Sequence, residues 1–199
     1  MKKYLLFGIF AVLSFFTVSA QNDTVCAGAT SVNYWLNGSA GSTFSWSIGG
    51  GSQTGGTTTD SIQVDFSSTP GIDTITVVET DSNGCLGDPV KLAVVRVAPP
   101  TVSIAGATSL CFADSTNVTV TLTGNSPWDL TYDDGSGNTI VTVTSSPYLI
   151  NTSSLTTSTT YTLVNVEDRL GCTTTPSGGS STVLVTVYPQ VVTGTIQHN

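Results

Sequence analysis

The sequence predicts an all-β protein, two tandem β-sandwiches behind a signal peptide. Three observations predict it. Short runs rich in Val, Ile, Thr and Tyr alternate apolar with polar residues, and Gly, Asn, Asp and Pro clusters separate them. A strand–turn–strand unit occurs twice, once around Asp81-Ser82-Asn83-Gly84-Cys85 and once around Asp168 and Gly171-Cys172, and each copy runs into a proline, Pro99 or Pro189. A repeated hairpin that closes two segments of similar length points to a duplicated module. Charge is sparse, at 9% of residues, where soluble domains carry about a quarter.

Residues 1–20 read as a leader. Lys2-Lys3 is its basic start, residues 5–16 its apolar centre, and Val18-Ser19-Ala20 its small-residue cleavage site. The apolar run is short for a membrane span. The expected mature chain starts at Gln21, is exported and does not span the membrane. Its net charge is 3 − 13 = −10, counting Lys91, Arg96 and Arg169 against 13 acidic residues. Such a chain has no basic patch for phosphates, which excludes nucleic acid as a partner.

The first module covers residues 21–98. Residues 31–36 are a short strand in which Tyr34 and Trp35 are adjacent, so one of them faces outward. In residues 43–48, Phe44, Trp46 and Ile48 alternate and face inward. Gly49-Gly50-Gly51 and Gly55-Gly56 bound a short edge segment. Residues 61–66 turn Ile62, Val64 and Phe66 inward, and the repeated hairpin completes about seven strands, the count of a sandwich. Ala98-Pro99-Pro100 is a stiff linker.

The second module covers residues 99–189. Residues 102–104 begin it. Residues 117–123 turn Val118, Val120 and Leu122 inward, and residues 128–132 do the same with Trp128, Leu130 and Tyr132. Residues 133–138 make a tight turn before a strand at 139–143. Residues 148–150 and the second hairpin follow. Residues 190–199 are a β-branched tail with no hairpin partner of their own.

Four cysteines in an exported chain predict disulfides. The repeat selects one connectivity. Cys26 opens the first module and Cys85 lies in its hairpin, 59 positions on; Cys111 and Cys172 are 61 apart in the second. The expected bridges are Cys26–Cys85 and Cys111–Cys172. A zinc site is the rival, but there is no Cys-x-x-Cys pair and the sole histidine is His198. No cofactor is expected.

The runs 41–50, 61–64 and 78–87 resemble the PKD-like immunoglobulin-fold modules of secreted Bacteroidetes proteins. In the second half, Gly124-x-x-Pro127-Trp128-x-Leu130-x-Tyr132-x-Asp134-Gly135 and the hairpin ending in Gly171-Cys172 resemble modules of the same group. The resemblance implies two immunoglobulin-like sandwiches, with Trp46 and Trp128 each packed near its module's disulfide. It also implies a non-enzymatic envelope protein, structural or adaptor, linked to gliding motality and type IX secretion. The tail resembles the ends of short two-module exported proteins of that group, and a long sorting domain is expected to be absent. The implied place is the periplasm, the outer membrane or the cell surface, as an accessory and not a cargo. The alternative is an adhesin or fibre subunit that binds glycans, with Trp35 as a platform, or assembles with itself.

Candidate sites are few. Asp133, Asp134 and Asn138 offer oxygens for calcium, but the spacing also fits a plain hairpin turn. Thr24, Ser61, Thr74 and Ser115 each follow an Asp and precede an apolar residue or Thr, a pattern similar to the O-glycosylation sequence of the same bacterial group. Val191, Val192, Thr193, Ile196 and His198 in the tail could add a strand to an envelope or outer-membrane partner, or to another copy; a last strand of the tail's own module or a frayed end is the plain alternative. Asp133-Asp134 and His198 are too isolated for a catalytic constellation.

Overall fold

The computed structural model describes residues 22–56, 58–106 and 109–198; the expected leader lies outside them. Every regular element in the described residues is a strand. In the first half these are β1 (Asn22–Cys26), β2 (Val32–Trp35), β3 (Thr43–Ile48), β4 (Gly51–Gly55), β5 (Ser61–Phe66), β6 (Gly71–Thr80) and β7 (Val90–Val97). They form two sheets, ordered β1-β7-β6-β3 and β2-β5-β4. The predicted inward faces hold: Ile62, Val64 and Phe66 are buried, with Ile75 and Val94 opposite and Trp46 and Ile48 packed against them.

The second half contains β8 (Val102–Gly106), β9 (Ser109–Cys111), β10 (Asn117–Leu122), β11 (Trp128–Asp133), β12 (Asn138–Val143), β13 (Tyr148–Asn151), β14 (Thr159–Asp168), β15 (Thr173–Thr174) and β16 (Thr182–Tyr188). Its sheets run β13-β10-β8 and β12-β11-β14-β16-β9, with β15 on β14. Val118, Val120, Leu122, Trp128 and Leu130 share its core with Tyr161, Leu163, Val166 and Val185.

The two halves share one wiring. A short strand carrying the first cysteine lies parallel to the last strand: β1 on β7, β9 on β16. The last two long strands form an antiparallel hairpin, and the long strand of that hairpin pairs with the Trp-bearing strand, β3 or β11. This is the immunoglobulin-like β-sandwich pattern. Two differences follow. The strand after the Trp strand joins the opposite sheet in the first half (β4 on β5) and the same sheet in the second (β12 on β11). The second half also has β8 covering the edge of β10; in the first half the corresponding edge, that of β2, has no such strand among the described residues.

The disulfide prediction is overturned. Cys26 is bonded to Cys172, and Cys85 and Cys111 are unpaired and exposed. The reason lies in the parallel strands. Cys26 is level with Val97, at the end of the eight-residue β7, while the Cys85 turn precedes Val90 at the other end. At about 3.3 Å per residue the two cysteines stand roughly 20 Å or more apart, and a disulfide needs Cα atoms within about 7 Å. Cys111, level with Tyr188, is likewise at the opposite end of its module from the Cys172 turn. Trp46 and Trp128 therefore pack beside no disulfide of their own module. Trp46 instead donates Nε1–H to the Thr59 carbonyl at 2.9 Å, and Trp128 to the Thr123 carbonyl at 3.1 Å.

Candidate functional site

The site is the joint between the halves, together with the two ends it leaves free. β7 delivers the chain into residues 98–101, and the Ala27 N–H donates to the Val97 carbonyl at 2.8 Å. Pro100 is fully buried. Its carbonyl accepts from Thr174 Oγ1 at 2.6 Å, and Thr123 N–H donates to the Thr101 carbonyl at 2.9 Å. Gly124, at φ +103°, leaves room for the linker: a Cβ there would stand 3.1 Å from Pro100 Cα. The Cys26–Cys172 bond lies beside this linker, with a Cα separation of 5.5 Å. The joint is thus held by two covalent links side by side, which restrains bending and twisting.

The turn that presents Cys172 is stapled by Asp168. Its Oδ1 accepts from the N–H of Leu170 at 3.0 Å and of Cys172 at 3.1 Å; its Oδ2 accepts from Asn125 Nδ2 at 3.0 Å. Burial alone would push this carboxyl up. The Asn125 side chain and the N–H groups of Cys172, Leu170 and Asn125 outweigh burial and hold it below the ordinary range. The same device recurs in the first half. Asp81 Oδ1 accepts from Asn83 N–H at 2.9 Å and Cys85 N–H at 2.7 Å. Gly84 (φ +85°) and Gly171 (φ +77°) take the left-handed position both turns require. Cys85 is therefore the structural counterpart of Cys172, and Cys111 the counterpart of Cys26. Cys26 and Cys172 are joined; Cys85 and Cys111 are displayed, Cys85 at the head of the first module and Cys111 at the foot of the second.

An open cleft of about 480 Å³ lies at that head, between the edge strands β1 and β2. Tyr34, Leu36, Trp46, Ile75, Val77 and Leu92 give it an apolar lining. Tyr34 spans its mouth, its hydroxyl donating to Asp23 Oδ2 at 2.8 Å. Burial first, then the hydrogen bond to Asp23 and its negative charge, raise the Tyr34 pKa above the ordinary 10.0. Trp35 is the outward member of the Tyr-Trp pair, 72% exposed on the rim.

The remaining predicted residues fall elsewhere. Asp133 and Asp134 turn their carboxylates onto their own hairpin: Asp133 Oδ1 accepts from Gly135 and Gly137 N–H, and Asp134 Oδ1 from Ser136. Asn138 pairs with Asp133 across that turn. Among the described residues no three His, Cys, Asp or Glu side chains gather around one point. Thr24, Ser61, Thr74 and Ser115 are all exposed. In the tail, Val191, Val192, Thr193, Ile196 and His198 are exposed outside any strand. The sequence reading missed β1, β9 and the cleft, because a three- to five-residue strand paired parallel to a distant one leaves no local periodicity.

Fold and site together define a tandem immunoglobulin-like protein whose modules are joined by a disulfide. The chain is similar to solved structures of such modules. Fibronectin(III)-like modules of Clostridium thermocellum CbhA align over 92% of this chain and 97% of theirs, at 15% identity and a TM-score of 0.43. A titin segment, domains I67–I69, aligns over 84% of this chain and 62% of its own, at 14% identity and a TM-score of 0.46. At these levels the strand order, and not the alignment, carries the fold assignment. No family model matches the chain, and a search of curated proteins finds no match.

Proposed function

We propose that the chain is an exported, non-enzymatic structural or adaptor protein of the cell envelope that works through protein–protein contacts. The observation that carries the reading is the stapled joint between two sandwiches, which holds an apolar cleft at one end and a strand-like tail at the other. A disulfide suits an oxidising compartment outside the cytoplasm. No helix among the described residues is long and apolar enough to cross a membrane. Val191, Val192 and Ile196 are 86–101% exposed, a hydrophobic display that suits strand addition to an envelope or outer-membrane partner. The resemblance to PKD-like modules supports a role as accessory to gliding or type IX secretion, and the four exposed Asp-Ser/Thr sites suit O-glycosylation.

Crosslinking pull-downs from native envelopes, with the full chain and with residues 190–199 deleted, test the reading. The tail-deleted chain is expected to lose its partner; unchanged association removes the adaptor role. The second reading is a self-assembling fibre or adhesin subunit, favoured by the unpaired cysteines at opposite ends. Concentration-dependent oligomers in size exclusion distinguish it.

A further inference from the structure

We infer that copies of this chain join head to tail, each new joint repeating the one inside the chain: Cys111 of one copy bonds Cys85 of the next, and the tail of the first lies along β2 of the second. The inference rests on the self-assembly reading and gives it a geometry. Its template is the joint already described. There, the cysteine at the foot of one module bonds the cysteine in the Asp-x-x-Gly-Cys turn at the head of the following module. Cys111 is at the foot of the second module and Cys85 in the head turn of the first, and both are unpaired. Cys172 is fully buried in the completed joint, whereas Cys85 and Cys111 are exposed. Apolar side chains crowd both free ends: Leu86 and Val90 beside Cys85 are 76% and 65% exposed, and Phe112 and Tyr188 beside Cys111 are 40% and 59% exposed.

The tail matches what the head lacks. Below the internal joint, the linker continues into β8, which runs antiparallel along β10 from Leu122 downward and buries Ile104 in the core. The first module has no counterpart of β8 among the described residues. Where it would lie, between β2 and β1, is the cleft, lined by Asn33, Tyr34, Trp35 and Leu36 at the head end of β2. The joint sequence Val97-Ala98-Pro99-Pro100-Thr101-Val102 recurs as Val187-Tyr188-Pro189-Gln190-Val191-Val192. The tail then supplies Val192 and Ile196 on one face of a strand, with Gly194 between them. It thus leaves the foot at the place that β8 has at the internal joint, with Val192 at the position of Val102, Gly194 at that of Ile104 and Ile196 at that of Gly106.

Closing the bond requires an oxidant, and a disulfide compound supplies it. The Cys85 thiolate attacks one sulfur of the oxidant RSSR, forming a mixed disulfide and releasing RS⁻. The Cys111 thiolate of the neighbouring copy attacks the Cys85 sulfur, forming Cys85–Cys111 and releasing the second RS⁻. Two protein thiols lose their protons and two electrons, and one disulfide becomes two thiols.

The test uses the full exported chain, purified and incubated with oxidised glutathione. Non-reducing electrophoresis is expected to show a ladder of monomer multiples that dithiothreitol collapses. Mass mapping is expected to find Cys85–Cys111 between copies and Cys26–Cys172 within them. C85S and C111S should each abolish every species above dimer. Deleting residues 190–199, or V192D with I196D, should slow ladder growth about a hundredfold, the advantage a docked segment gives by raising effective concentration. A chain that stays monomeric, pairs Cys85 with Cys85 and Cys111 with Cys111, or links Cys85 to Cys111 within one copy overturns the inference. A ladder whose growth ignores the tail overturns the strand addition. A monomeric chain that still captures its envelope partner refutes assembly and leaves the adaptor reading standing; a ladder without a partner does the reverse.

Discussion

Cys26 and Cys172 are 146 positions apart in sequence and 5.5 Å apart at their Cα atoms, one at the foot of the first sandwich and one at the head of the second. The bond therefore closes a small structural ring with residues 97–101, although it closes a long ring in the unfolded chain. Its removal acts on the joint as well as on stability.

C26S should loosen the joint and leave both sandwiches folded. Small-angle scattering is expected to show a broader range of shapes, and proteolysis to cut near residues 98–101. Thermal unfolding should lose the 2–4 kcal/mol that is about typical of a native bridge. Unchanged scattering and proteolysis would mean that the buried Pro100 and its hydrogen bonds hold the joint alone.

Arg96 and Asp73 form an ion pair in the first module, Nε to Oδ2 at 2.7 Å and Nη2 to Oδ1 at 3.1 Å, with side chains 10% and 3% exposed. The Nη2 contact has hydrogen-bond geometry; the Nε contact is electrostatic. Arg96 also donates to the carbonyls of Ser67 and Thr69. R96A strands the Asp73 carboxylate and is expected to cost about 3–5 kcal/mol in urea unfolding of the first module. Gly50 is pinned by the same pair, since a Cβ there would stand 2.1 Å from Asp73 Oδ1 at φ +89°, so G50A should destabilise the same module.

Asp168 predicts an acid limit. Its folded pKa lies below the ordinary 3.8, so its contribution is complete above that value and is lost as pH falls through the folded one. D168N should remove this step from the acid-unfolding curve of the second module and lower its stability at neutral pH. An unaltered acid curve would show that the turn does not depend on the charge.

Tyr34 predicts an alkaline limit of opposite sign. Its pKa is raised on folding, so its contribution is complete below the ordinary 10.0 and is lost as pH rises through the folded value. Y34F removes the hydrogen bond to Asp23. It should cost about 1 kcal/mol at neutral pH in urea unfolding and flatten the alkaline edge of the stability profile.

What the sequence alone determined was the set of local patterns. Residues 43–48 and 61–66 were legible to the residue because an alternating run with one buried face carries a period of two. The paired Asp-x-x-Gly-Cys turns were legible because a left-handed position demands glycine and a carboxylate can staple the N–H groups around it. The tail was legible as a β-branched segment with no hairpin partner of its own, and residues 190–198 lie exposed and outside any strand. Only the tertiary structure decided which cysteines meet. Nearly equal spacings of 59 and 61 residues record that the module was repeated, and a repeat places matching cysteines at matching positions without making them neighbours. Because β1 and β9 run parallel to the last strand of their own module, each carries its cysteine to the end away from its own hairpin turn. Strand direction is a long-range property with no local signature, and it turned two expected bridges within modules into one bridge between them.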